Sequence, residues 1–402
     1  MHTFSSLRSP NFRYYFIGHS LSTLGTWIQQ VALAWIIYEQ TKSAALLGII
    51  GFCALIPQLL VSPIAGAWID KLNKQKFLVI IQVLFFIQTI SLGLLYHFNL
   101  FTPPLLICMS LLLGILTAID TPLRQSLLSL IIEDRTLLPN ALALNAMIFN
   151  ASRFVGPPIA GVLLSTIGAE LCFYLNALSY LCLGIAVLRM QAVASIKATG
   201  KLGAVFIEGV KYMYQSQQYR ILMLTVIVLN MTASSYVTLL PIYAKDIIVG
   251  NEKTLGILWG CAGVGSLISS VILASKKDFQ SPQMIFIRNI ACCAIGLAIL
   301  GLLSSMYVLC FAMFLLGFGI STTNILTNII IQNSTAEAFR GRAISIYTST
   351  RFGFDAVGGL CVGLLAAIFI PNQLMLVYSI ILVSYLCYYM WISRKSSMIN
   401  QF

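Results

Sequence analysis

The chain has 402 residues, 59% of them hydrophobic and 9% charged, with a mean hydropathy of +0.91 and a formal net charge of +12. A soluble domain carries about 25% charged residues, so this composition excludes a water-soluble globule. Apolar runs of about 20 residues recur, each able to cross hydrocarbon as a helix, and the alternating segments of about 10 residues that a β-barrel needs are absent.

Read between charged and turn residues, the sequence predicts about twelve membrane helices over 12–38, 44–69, 75–97, 103–130, 139–167, 170–190, 219–246, 253–275, 281–303, 306–332, 340–369 and 371–393. The N-terminus is polar through Pro10 and the first span is too long for a signal-peptide core, so no cleavable signal is expected. The longest polar connection, 191–218, holds Lys197, Lys201, Glu208 and Lys211. It reads as a cytoplasmic basic linker between an N-terminal six-helix bundle (1–190) and a C-terminal one (219–402). Within it, Leu202 to Tyr214 fits an amphipathic helix on the membrane surface.

Lysine and arginine orient the spans. With the N-terminus inside, the inner loops collect nearly all of them and the outer side keeps only Lys42, Lys245 and Lys253. Both termini are then cytoplasmic. Because the basic residues lie in short loops, they report topology and not a nucleic-acid face. The ten cysteines are scattered, mostly mid-span, and the three histidines add no metal-ligand spacing. No cofactor or metal is called for, and nothing suggests an enzyme.

Several polar residues interrupt the spans. On span one, His19 is either a titratable group or a hydrogen-bonded packing residue. On span four, Asp120 and Arg124 are spaced i,i+4 and share a helix face, with Pro122 between them. Span five contains Arg153 followed by Gly156, Pro157, Pro158 and Gly161. Proline removes a backbone donor and kinks the helix, while small residues admit a close neighbour. Ser152-Arg153-Phe154 in span five is echoed by Thr350-Arg351-Phe352 in span eleven, six spans later, as a parallel repeat of two halves requires.

A charge inside the membrane needs a partner or a wet cavity, so Arg153 and Arg351 are gate or cavity residues, or else snorkelling anchors. Asp355 follows Arg351 by four residues as a second i,i+4 pair. A carboxyl group there could carry a proton, with Asp120 and His19 as the further candidates. Trp27 and Gln30 on span one, Asn145 and Asn150 on span five, Asn230 and Tyr236 on span seven, and Asn324 and Asn328 on span ten could line a central cavity for an amphipathic organic solute. Their other role would be hydrogen bonding between helices. They carry no charge signature that demands an anionic or cationic substrate.

The loop after span two, Gly66-Ala-Trp-Ile-Asp70-Lys71-Leu-Asn73-Lys74-Gln-Lys76, is similar to the G-x-x-x-D-R-x-G-R-R loop of the major facilitator superfamily. Lys71 replaces the usual arginine, which loses a bidentate donor. Gly156-Pro157-Pro158-Ile-Ala160-Gly161 resembles that superfamily's antiporter motif, with Ala160 in place of a glycine. The opening SPNFRYYFIGHSLSTLGTW and the later FRGRAISIY resemble the branch of enterobactin, drug and siderophore exporters.

The resemblance implies an all-α, multi-pass protein of the inner membrane that works as a monomer in the lipid bilayer and exports a small molecule against proton entry. It also implies an inner gate made of Asp70 and Lys71 with Asp120 and Arg124. A siderophore is the first expected cargo and a drug-like compound the second. An importer on the same fold is the alternative.

Overall fold

A computed structural model describes residues 4–62, 65, 69, 72–132, 134–191, 211, 213–275 and 281–395. Among these the fold is all helical. The main helices, in chain order, are α1 (Pro10–Thr41), α2 (Ala44–Leu60), α3 (Lys74–His97), α4 (Pro103–Ile131), α5 (Leu138–Leu188), α6 (Gln217–Thr232), α7 (Tyr236–Ile242), α8 (Glu252–Ser275), α9 (Pro282–Leu302), α10 (Met306–Ser334), α11 (Glu337–Leu365) and α12 (Pro371–Lys395). Eight helical segments among the described residues are long and apolar enough to cross a membrane. α1 and α11 are long enough but are not among those eight, because they carry much of the polar chemistry described below.

Local sequence sets the boundaries. Pro10, Pro103 and Pro282 begin their helices, where the missing N–H would have no partner and φ is preset. Ser43 Oγ accepts from Leu46 N at 3.1 Å, and Asn73 Oδ1 accepts from Lys76 N at 3.0 Å, capping α2 and α3. Lys42 takes φ 52°, which closes the turn between α1 and α2.

α5 is one helix only by continuity. Straight, its 51 residues would run about 77 Å, more than twice the ~30 Å hydrocarbon thickness. Gly168 breaks it, with φ 82° and ψ 171°. α1 records the consequence. Tyr15 pairs with Asn145, and Gly156 packs on Trp27, so the first arm runs parallel to α1. Gly18 packs on Leu183 and Ala186, and Gly25 on Ser179, so the second arm runs antiparallel. Gly168 is therefore the tip of a helical hairpin that holds α1 between its arms.

The span predicted over 219–246 is not one regular helix. It is α6, an interruption at 233–235, α7, and a π-helical turn Tyr243–Ile247. Ser235 Oγ donates to Met231 O and Thr232 O, both at 2.8 Å, which competes with the helix ladder. Pro241 then removes a further donor. The segment 202–210 and residue 212 of the expected surface helix lie outside the described residues.

Packing runs α1 on α5, α3 on α5 and α2 on α4 in the first part of the chain. In the second part it runs α8 on α10, α9 on α10 and α12, and α11 on α6. Two seams join these parts, α5 against α8 and α2 against α11.

Candidate transport site

Gly156, Pro157, Pro158 and Gly161 form the α5 side of the first seam. A Cβ built on Gly256 of α8 would stand 2.6 Å from Pro157 O and 3.1 Å from Gly161 Cα. One on Gly260 would stand 2.6 Å from Pro158 Cγ, and one on Gly263 2.7 Å from Arg153 O. Small residues on both helices thus bring two backbones into contact around the double proline. Trp27 of α1 closes the other side of Gly156, with its ring edge-on to Trp259 of α8 at 6.4 Å. In the second seam, α2 meets α11 at Gly48 and Gly363, where a Cβ on Gly48 would lie 3.1 Å from Gly363 Cα.

At the ends of α1 and of the π turn, four charges pair across the chain. Lys245 Nζ donates to Glu39 Oε1 at 2.7 Å, and Lys42 Nζ lies 3.5 Å from Asp246 Oδ1. The Tyr38 hydroxyl donates to Asp246 as well, and Lys245 sits 5.1 Å above the Trp35 ring. These ends carry Lys42 and Lys245, two of the three lysines that the charge distribution assigns to the outer side as an expectation. The sequence reading missed this latch. Its signal is the pairing of acids, Glu39 and Asp246, with two of the three outer lysines at the ends of spans one and seven, corresponding positions of the repeat.

A second cluster is buried among α1, α3 and α4. Arg124 Nε meets Asp120 Oδ2 at 2.5 Å, as an ion pair without good hydrogen-bond geometry. Gln82 Nε2 donates to Asp120 Oδ1 at 3.0 Å, and Arg124 Nη2 reaches Gln82 Oε1 at 3.5 Å. Arg124 Nη1 lies 2.5 Å from His19 Nδ1. A guanidinium only donates, so this Nδ1 accepts and the ring proton sits on Nε2. The Tyr15 ring packs on His19 at 5.2 Å. The structure therefore brings His19, Asp120 and Arg124 together and adds Gln82, which the sequence reading did not single out. Of the loop residues expected to join them, Gly66, Asp70 and Lys71 lie outside the described residues. Lys74 is buried and Lys76 exposed at the start of α3.

A third cluster crosses between the two parts of the chain. The charges acting on Arg153 of α5 are Arg351 and Asp355 of α11, with the hydroxyl of Tyr236 at the start of α7. Arg351 and Asp355 do not form the expected i,i+4 ion pair. Among the described residues neither has an ion-pair contact within 4.0 Å, because the Arg351 guanidinium lies over the neighbouring Phe352 ring at 5.2 Å.

The remaining polar residues divide. Asn230 Nδ2 donates to Val226 O at 2.7 Å, within its own helix. Asn324 is buried and its carbonyl accepts from the Tyr347 hydroxyl at 2.7 Å. Asn328 accepts from Gln332 at 2.7 Å, and Asn145 from Tyr15 at 3.4 Å. Asn150 is half-buried and Gln30 is exposed. A separate apolar groove among α6, α9 and α12, lined by Leu222, Pro282, Phe286 and Tyr389, lies away from all three charged clusters and offers no charged group.

Across residues 1–399 the sequence matches the family described as transmembrane secretion effector. The chain is 28% identical over 389 residues to the staphyloferrin A transporter of Staphylococcus aureus, covering 95% of this chain and 96% of that protein. It is 22% identical over 355 residues to the multidrug efflux pump Tap of Mycolicibacterium fortuitum, covering 85% and 86%. The structure resembles that of the nucleoside transporter NupG with a TM-score of 0.75 at 14% identity, covering 98% of this chain and 99% of that one. That last likeness concerns the fold alone.

Proposed function

Because the chain belongs to the transmembrane secretion effector family of the major facilitator superfamily, we propose that it exports an amphipathic small molecule by alternating access. A siderophore is the first cargo and a drug-like compound the second. The proposed architecture is twelve spans in two six-helix bundles, 1–190 and 219–402, joined by the basic linker 191–218. Both termini are cytoplasmic, and the protein acts as a monomer in the inner membrane.

One observation carries this reading: the outer ends of α1 and the π turn are latched by Glu39–Lys245 and Lys42–Asp246 while charged groups remain buried between helices. A simple membrane anchor has no use for either. A transporter uses both, one to seal the outer side and the others to respond to ligand or proton. This is the outward-closed member of the cycle, and the α5–α8 seam around the double proline is its hinge surface.

Proton antiport is the proposed energy source. Asp355 is the leading proton carrier. Asp120 and His19 are the further candidates, since protonating His19 Nδ1 removes the acceptor of Arg124. Asp355→Asn is expected to abolish proton-coupled transport in vesicles, followed with a pH-sensitive dye. Full coupling in that variant would remove Asp355 from the role. The likeness to a staphyloferrin A transporter supports the siderophore, and that to an efflux pump supports export and the drug-like alternative.

The test is a deletion strain and its parent grown with scarce and plentiful iron, with cells and medium profiled by mass spectrometry. A chelator retained in the deletion cells and missing from their medium is the expected result. Unchanged secretion would reject the siderophore, and failure to take a compound up would indicate an importer.

A further inference from the structure

Two consecutive residues build the C-terminal side of the latch. Lys245 donates to Glu39 and lies above the Trp35 ring, while its neighbour Asp246 takes Lys42 and the Tyr38 hydroxyl. Trp35, Tyr38, Glu39 and Lys42 follow the i, i+3, i+4, i+7 spacing of one helix stripe. Consecutive residues of an α-helix stand about 100° apart and do not share a partner face. The π turn Tyr243–Ile247 lets both reach α1 by widening the chain. Ile248 N donates to Tyr243 O at 2.9 Å and Gly250 N to Ala244 O at 2.8 Å, longer steps than the α-helix allows. The Tyr243 hydroxyl donates to Leu300 O at 2.9 Å and pins the start of the turn.

The turn ends under strain. Val249 takes φ 57°, where a β-branched residue is an outlier because Cβ crowds the following carbonyl. It is 83% exposed, so packing offers nothing in return. The residue suited to a left-handed helix end is glycine, and Gly250 comes immediately afterwards without taking that conformation. An α-helix carried one residue further would put Gly250 in the left-handed position and return Val249 to helical φ. We infer that the π turn is a two-state switch. Its π form, with Val249 left-handed, holds Lys245 and Asp246 against α1, and an α-helical form ending on Gly250 turns the two apart and releases both ion pairs together. The latch contacts keep the strain in place, and the strain limits how firmly the latch holds. The inference rests on the latch of the proposed transport cycle.

The experiment uses the full-length protein in lipid nanodiscs, with its ten cysteines replaced and spin labels at the exposed positions Gln40 and Lys253. Pulsed electron resonance reads the latched and open populations. Lys245→Ala provides a background in which the open population is enlarged. In that background Val249→Gly is expected to move the equilibrium about 5- to 30-fold back toward the latched distance, the equivalent of relieving one left-handed residue. Val249→Asn, which also tolerates the left-handed conformation, is expected to move it the same way by less. A gain of the latched population is a result that a misfolded variant cannot mimic.

If Val249 keeps one conformation throughout the cycle, relieving its strain favours neither state. An unchanged distribution in Val249→Gly, or a shift toward the open distance, would therefore overturn the switch. A shift in Lys245→Ala that neither Val249 variant reverses would keep the latch and reject the switch. No shift in Lys245→Ala itself would reject the latch and the switch with it.

Discussion

Replacing Lys245 with alanine removes two contacts of the outer latch at once. The Lys245–Glu39 side chains are 22% and 43% exposed, so their pair takes the screened surface value of about 0.2–1 kcal/mol. The ammonium above the Trp35 ring adds about 0.5–1 kcal/mol. Together the loss is about 0.7–2 kcal/mol, a shift of roughly 3- to 30-fold toward the outward-open population. Spin labels at the exposed positions Gln40 and Lys253, in a chain whose ten native cysteines are replaced, would report this as growth of a longer-distance population in pulsed electron resonance. The charge swap of Glu39→Lys with Lys245→Glu should return the distribution toward the original. An unchanged distribution in Lys245→Ala, or a swap no better than the single change, would refute the latch.

Asp120→Asn leaves the Arg124 charge buried with neutral partners only, and is expected to lower stability by about 3–5 kcal/mol, the range for breaking a buried pair. Thermal unfolding in detergent measures it, and Asp120→Glu should lose less. Gly256→Val forces the α5–α8 seam apart, because its Cβ would lie 2.6 Å from Pro157 O. About 1–3 kcal/mol of overpacking is expected, with slowed transport of cargo in vesicles. Gly184→Ala is the contrasting control. Its Cβ would meet only Gln82 Cβ at 3.6 Å, so it should be tolerated and can gain up to about 1 kcal/mol from helix propensity.

The membrane class and the helical fold are legible in the sequence because lipid leaves few choices. A span must be long, apolar and internally bonded, and caps such as Ser43 and Asn73 mark where it starts. Asp120 and Arg124 are legible as a pair because their spacing lies within one helix. Their partners are not, since Gln82 sits in an apolar stretch of α3 like any other span glutamine, and only tertiary packing brings it to Asp120. The same local rule misleads at Arg351 and Asp355. The spacing permits an ion pair, yet the adjacent Phe352 ring takes the guanidinium. The broken span seven escapes the hydropathy pattern because serine and proline redirect the backbone without making the segment polar. The outer latch needs the pairing of residues about 200 positions apart, which no local pattern encodes.

The hairpin at Gly168 has a bearing on how the chain is made. α1 is clasped by both arms of α5, yet the partners of its amides are synthesised 147 and 180 residues after them, ~7–36 s later at ordinary ribosome speed. During that interval Gln29, which ends bonded to Asn176 at 2.6 Å, has no native partner, and neither does Asn11, which ends bonded to the Gln191 amide at 2.9 Å. α1 is made before both arms yet is finished only after them, and its amides must be sheltered until the second arm of the hairpin and Gln191 arrive.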